Sequence, residues 1–381
     1  MKRRRIITFV TGTRAEYGLM RRTLDAIESH PALALSVVAT GMHLDASRGA
    51  SVRELSRVDV RVPWPAGDGS MRHQARQTGR AAARLVDVYD ELGTQIVLVV
   101  GDRVEAFAAA SAGLLSGRIV AHVHGGDRAA GQSDDALRHA ISKLTHLHLA
   151  ATRDSADRLI RMGEDRWRVN VVGSPGIDRI RSDAADRAML REAGFDLPQR
   201  GFLLLVLHPT EPDERAERRR AGLLLNIVRQ RTDWPIVIVW PNNDPGAGGI
   251  ATAWASWERR ADPRLRFVRN LDRSHFLGLL RDAAALVGNS SAGIIEAASF
   301  GTPVLDIGPR QAGRLCSGNV RHVAFESSAI ERALARIVRD PRGSRYAGRN
   351  VYGGGATADK IAHLLARMPL TGRICRKLIA Y

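Results

Sequence analysis

Short apolar runs separated by longer amphipathic stretches set the pattern of this 381-residue chain. In the first half the apolar runs fall at residues 6–10, 35–39, 96–100, 119–123, 147–151 and 169–172. Helical spacing between them predicts helices near 16–30, 71–92, 104–116, 134–146 and 154–162. The second half repeats the scheme, with strands predicted at 202–207, 236–240, 265–268, 284–287 and 303–307. Its helices are predicted near 213–231, 249–260, 274–282, 292–300 and 327–339. Continuous apolar strands are buried on both faces, and helices alternating with them cover the faces of a parallel sheet. Two such sets predict an α/β fold of two Rossmann-like doubly wound domains facing a cleft, over 1–178 and 195–355. The stretch between Gly173 and Gly201, rich in Gly, Pro, Asp and Arg, is the expected boundary. There is no tandem repeat of the solenoid kind.

Composition narrows the class. An apolar fraction of 44% and a charged fraction of 25% exclude a wholly disordered chain. The net charge is +17, but 53 of the 57 basic residues are arginine, scattered along the chain and often beside acids, as in Asp102-Arg103 and Glu258-Arg259. That usage looks like a coding bias, so no nucleic-acid partner is expected. Attraction of an anionic small substrate fits the charge equally well. Two cysteines, Cys316 and Cys375, make no disulfide framework and suit a reducing cytoplasm. The basic start is followed by only five apolar-run residues, broken by Thr8, so a signal peptide is not expected. No run approaches the ~20 apolar residues of a membrane span. The expectation is a cytoplasmic protein.

Ligands of open α/β sheets bind at the carboxyl ends of strands, so the polar loops there carry the candidate chemistry. Gly288-Asn289-Ser290-Ser291-Ala292-Gly293 leads into a predicted helix. Such a turn presents backbone N–H groups to an anion, and the Ser290 and Ser291 hydroxyls can add hydrogen bonds; the same residues also read as a plain N-cap. Glu296, early in that helix, is placed for ribose hydroxyls. Arg310 and Arg314 on the next loop form a possible diphosphate clamp or else solvated surface. In the first half, Arg14 follows the first strand, and Gly101-Asp102-Arg103 follows the third. Next come His122-Val123-His124-Gly125-Gly126-Asp127 and the helix start Asp134-Asp135. Converging carboxylates permit paired acid and base roles, while helix capping is the plainer account of each. His122-x-His124 also has metal-ligand spacing on a strand, which keeps a metal-dependent hydrolase as an alternative. His208-Pro209 ends the first strand of the second domain.

The ordered set of motifs carries a resemblance. Gly12-Thr13-Arg14-Ala15-Glu16-Tyr17, Gly101-Asp102-Arg103, Gly125-Gly126-Asp127, residues 134–146, His208-Pro209, residues 288–296 and 308–319, and the Tyr352-Gly353-Gly354-Gly355 turn occur in that order. Together they resemble the hydrolysing UDP-N-acetylglucosamine 2-epimerases of sialic and related nonulosonic acid biosynthesis. The resemblance implies a GT-B-like architecture in which a last helix, within 356–381, returns to the first domain. It implies loss of UDP from C1 as a base removes the C2 proton, then hydration of the glycal to a free sugar inverted at C2, such as N-acetylmannosamine. No metal or other cofactor is required, and a homo-oligomer, dimer or tetramer, is expected. Carried over, the UDP-sugar contacts are Arg14, His43, Arg103, Ser290, Ser291, Glu296, Arg310 and Arg314; the catalytic candidates are Asp102, Asp127, Asp134 and His208. Sialic-acid members have a glutamate just before the paired glycines, where this chain has His124, and Asp127 is the acid that would substitute for it. A UDP-2,4-diacetamido-trideoxyhexose is therefore a candidate substrate beside UDP-N-acetylglucosamine. A non-hydrolysing epimerase and a GT-B glycosyltransferase share the nucleotide site and remain alternatives.

Overall fold

The computed structural model describes residues 4–44, 51–65, 71–128, 134–241, 244–269, 271–340 and 345–380. The chain forms two compact units. One comprises Met1–Arg128, Ser133–Asp178 and Tyr352–Tyr381; Arg179–Val351 lies in the other. Among the described residues no helix is long and apolar enough to cross a membrane.

The first unit is built on β1 (Arg5–Thr11), β2 (Leu33–Ala39), β3 (Val60–Arg61), β4 (Ile96–Val100), β5 (Ile119–Val123), β6 (Leu147–Ala150) and β7 (Val169–Val171). All pairings are parallel, in the order β3-β2-β1-β4-β5-β6-β7. Every residue of β4 and β5 is buried, as a strand covered by helices on both faces requires. Alternation sorts the two faces. Ile7, Phe9 and Leu98 join Met20, Leu24 and Ile27 of the helix Arg14–Ser29. Val10, Val97 and Val99 face Leu85, Val88 and Tyr89 of the helix Met71–Leu92. The helix Thr357–Arg367 adds Ile361 and Leu365, both fully buried, to the first of these layers. At about 1.5–3 kcal/mol for each such side chain, this burial holds the helix to the unit. Asp178 caps its N-terminus, accepting from Thr357 N at 3.0 Å and Ala358 N at 2.6 Å.

The second unit contains β8 (Leu203–Val206), β9 (Ile236–Val239), β10 (Leu265–Val268), β11 (Ala285–Gly288), β12 (Val304–Ile307) and β13 (Val320–Val323). Their order is β10-β9-β8-β11-β12-β13, again all parallel. Both sheets are thus wound outward from their first strand in both directions. Strand order reverses between β1 and β4 in one unit and between β8 and β11 in the other. Loops at such a reversal leave a crevice at the carboxyl edge.

The helix predicted near 292–300 is interrupted. An α-helix spans only Ser291–Ile295, followed by a 3-10 turn over Ala297–Phe300. The Asn350 amide takes the Ile295 carbonyl at 2.7 Å, and Ser299 N–H bonds the Glu296 carbonyl instead. Strands β3 and β13 lack a clear apolar run: β3 has two residues, and β13 reads Val-Arg-His-Val.

Candidate active site

In the second unit, β8 and β11 pack so closely that a Cβ on Gly288 would lie 2.0 Å from the Val206 carbonyl oxygen; its φ is +138°. Only glycine suits that position. Asn289 follows, 1% exposed, and its amide reaches across the strand reversal to the loop after β8. Its Oδ1 accepts from His208 N at 2.7 Å and its Nδ2 donates to His208 O at 2.9 Å. The Asn289 carbonyl accepts from Gln311 Nε2 at 2.8 Å and Arg310 at 3.3 Å. Arg310 also donates to Asp244 at 3.2 Å. His208, Asn289 and Arg310 therefore belong to one bonded cluster at the carboxyl edge. Burial and then the charge of Arg310 lower the His208 imidazole to about 3, against the opposing charge of Asp244, so it is neutral near pH 7.

Ser290 acts as an N-cap, its hydroxyl accepting from Ala292 N at 3.3 Å. Ser291 opens the short helix and is partly exposed. Glu296 is not in a first turn but at the end of that helix, buried, and 2.7 Å from Arg273. Arg273 was not singled out in the sequence, because one arginine among 53 carries no signal. Arg314 is partly exposed on the loop after β12.

In the first unit, Thr13 and Glu16 form a capping box: Thr13 Oγ1 accepts from Glu16 N at 3.3 Å, and Glu16 Oε2 accepts from Gly12 N and Thr13 N at 2.9 and 3.0 Å. Arg14 is the first helical residue and is exposed. Beneath the loop, buried Glu105 would lie within 2.7 Å of a Cβ on Gly12 and 2.4 Å of one on Gly41. Arg103 Nε donates to Glu105 at 3.2 Å. Burial, then the Glu105 charge, raises the Glu16 carboxyl to about 7. The Thr13-x-x-Glu16 spacing makes Glu16 recoverable from sequence; nothing local signals Glu105. His43, assigned to substrate contact, is fully buried. Its Nε2 meets Thr11 Oγ1 at 3.1 Å and its Nδ1 meets Ser51 Oγ at 2.9 Å. With both ring nitrogens engaged it braces the loop after β1. Burial lowers it to about 4.

Asp102, at the end of β4, forms an ion pair with Arg138, whose side chain is 5% exposed. Arg138 also donates to the His124 carbonyl at 2.9 Å. His124 has φ +63°, so strand alternation stops before it. Its Nδ1 meets Asp127 Oδ2 at 2.7 Å and its Nε2 meets Ser174 Oγ at 3.0 Å. The ring of His122 instead meets the Gly101 carbonyl at 2.7 Å and Ser142 Oγ at 3.3 Å. The two histidines therefore do not converge on one ion. Among the described residues no group of three or more His, Cys, Asp or Glu side chains is placed to hold a metal.

Asp127, the acid expected to substitute at the His124 position, is engaged on both oxygens. Its second oxygen accepts from Ser155 Oγ at 2.5 Å. Burial would raise this carboxyl, but the charge and hydrogen bond of His124, the Arg138 charge and the Ser155 hydroxyl outweigh it and hold it well below the usual carboxylate range. With both oxygens engaged and its proton affinity lowered, this carboxylate is held as an anion in this arrangement. Asp134 opens the helix Asp134–Leu144; its side chain lies outside the described residues.

Two Rossmann-like units, each with a polar cluster at the strand reversal, define a GT-B-like α/β enzyme. The pattern of the UDP-N-acetylglucosamine 2-epimerase family matches residues 25–366, and the chain belongs to that family. It is 35% identical to a hydrolysing UDP-N,N'-diacetylbacillosamine 2-epimerase of Legionella pneumophila, over 99% of this chain and all of that one. It is 33% identical to a UDP-N-acetylglucosamine 2-epimerase of Neisseria meningitidis serogroup B, over 86% of each chain. Among solved structures, Neisseria meningitidis UDP-GlcNAc 2-epimerase bound to UDP-GlcNAc matches with a TM-score of 0.80. At 20% identity, covering 94% of this chain and 99% of that one, it speaks for the fold.

Proposed function

We propose that the protein is a hydrolysing UDP-sugar 2-epimerase whose substrate is a UDP-2,4-diacetamido-trideoxyhexose, with UDP-N-acetylglucosamine the poorer alternative. The observation that carries the reaction is the Asp102–Arg138 pair: a carboxylate at the end of β4, held by a buried guanidinium at the strand reversal. The choice of sugar is supported by the name of the Legionella relative and by His124 in place of an acid. The free product suits a downstream route to nonulosonic acids.

In this reading Arg310, Arg314 and the residues 290–291 turn hold the diphosphate, and Glu296, held by Arg273, accepts ribose hydroxyls. Arg14 and Arg103 supply positive charge at the carboxyl edge of the first unit. A base, Asp102 or Asp134, takes the C2 proton. The C2–H electron pair becomes the second C1–C2 bond, and the C1–O bond breaks with its electrons on UDP. Cations aimed at the leaving oxygen stabilise the charge that develops there. Water then adds its hydroxyl to C1 and a proton to C2 from the opposite face, releasing the inverted sugar. His208, neutral near pH 7, can donate or accept a hydrogen bond at the cluster of Arg310.

The test is a panel of UDP-2-acetamido sugars incubated in deuterated water. The expected result is one equivalent of UDP with a free reducing sugar deuterated at C2. Turnover without deuterium at C2 would sink the epimerase reading and favour a glycosyltransferase. Recovery of an epimerised UDP-sugar would mark the non-hydrolysing reaction.

A further inference from the structure

The segment 371–380 is bound to the first unit by more than packing. Ile374 is 1% exposed and joins the core beside Leu365. Arg168, also 1% exposed, donates to the carbonyls of Arg373, Ile374 and Arg376 at 3.2, 2.8 and 2.7 Å. Ala380 N donates to Gly163 O at 2.9 Å. The bond with most consequence is made by Lys377. Its Nζ donates to Ser142 O at 2.9 Å and Lys143 O at 2.8 Å, and lies 2.7 Å from Glu164 Oε2. Those carbonyls end the helix Asp134–Leu144, where the helix dipole favours a cation; the Ser142 carbonyl also accepts from Thr145 N at 3.1 Å.

The same helix holds the loop of Asp102 at two points. Arg138 forms the ion pair with Asp102. One turn later, Ser142 Oγ meets His122 Nδ1 at 3.3 Å, and His122 Nε2 meets the Gly101 carbonyl at 2.7 Å. Ser142 is thus both a carbonyl capped by Lys377 and a hydroxyl that fixes the residue beside Asp102. We propose that Lys377 is a positioning residue for the elimination, anchoring the helix that orients Asp102. This rests on the reading that Asp102 acts at C2.

A misplacement of about 1 Å at a reacting group can cost roughly 10²-fold in rate. Lys377 faces Glu164, His148, Lys143, Arg168 and His146. Burial lowers its ammonium to about 8, against the hydrogen bond and charge of Glu164. Above that pH the proton leaves, and the cap and ion pair weaken together.

The test compares Lys377→Met and Lys377→Arg with the wild type for UDP release from UDP-2,4-diacetamido-trideoxyhexose. Lys377→Met is expected to lower kcat roughly 10- to 100-fold, with KM and UDP affinity changed less than about twofold. Lys377→Arg should restore kcat and move the alkaline fall of the wild type upward. Wild-type kcat in Lys377→Met, or equal losses in kcat and UDP affinity, would overturn the proposal. If circular dichroism shows Lys377→Met unfolded, the Arg variant decides: an unmoved alkaline limb overturns it. A wild type inactive on every UDP-2-acetamido sugar refutes the functional reading instead. The anchor is then read by amide exchange over residues 138–144, where faster exchange in Lys377→Met upholds it and unchanged exchange overturns it.

Discussion

Asn289→Ala tests whether the strand reversal in the second unit is pinned as described. The lost amide makes two hydrogen bonds, at 2.7 and 2.9 Å, to the backbone N–H and C=O of His208. At 1% exposure the site admits little water to replace them. An unsatisfied buried polar group costs about 1–3 kcal/mol, so the pair together should cost roughly 2–4 kcal/mol after partial relaxation. For a unit of this size each kcal/mol moves the midpoint by about 2–4 °C, giving a fall of roughly 5–15 °C in the thermal transition of the second unit. The Asn289 carbonyl also receives Arg310 and Gln311, so displacement of this loop should weaken UDP binding at least tenfold. Calorimetry of the thermal transition and titration with UDP read both effects. A midpoint within about 1 °C of wild type, with unchanged UDP affinity, would refute the argument that this amide joins the two loops.

Other outcomes follow from the same geometry. Asp102→Asn should lower kcat by roughly 10²–10⁴-fold, the range of a lost general base, while UDP still binds; wild-type rates would remove Asp102 from the chemistry. Ser291→Ala should mainly raise the Kd for UDP, measured calorimetrically, and an unchanged Kd would leave residues 290–291 as simple caps. Acid should destabilise the fold through its buried histidines: burial lowers His43 and His146 to about 4 and His122 and His208 to about 3, all below the unfolded value. The unfolded chain therefore binds more protons between those values and about 6.5, so stability is full above about 6.5 and is lost as pH falls through that window. Glu16, raised to about 7, acts oppositely: its contribution is lost as pH rises from about 4.5 to about 7. These four histidines outnumber the raised carboxyls Glu16 and Asp306, which predicts a lower urea midpoint at pH 5 than at pH 7, and a higher one would contradict the balance.

Much of the fold was legible in the alternation of apolar runs and amphipathic helices. Strands such as Ile96–Val100 and Ile119–Val123 read directly, since a strand covered on both faces must be apolar throughout. The placement of Asp102, His208, residues 290–291 and Arg310 at strand ends was legible for a related reason: a parallel sheet gathers the loops at its carboxyl edge. The sequence by itself determined those elements and that list of polar residues. Tertiary structure alone decided their partners. Nothing local shows that Asn289 reaches His208, that Arg138 holds Asp102, or that Lys377 caps a helix more than 200 residues earlier. It also set two local environments that strand periodicity does not show. His124 leaves the strand at φ +63°, which separates it from His122, and its ring fixes Asp127 as an anion. Periodicity reports which face a residue presents, whereas proton affinity and bonding depend on groups brought close only by packing.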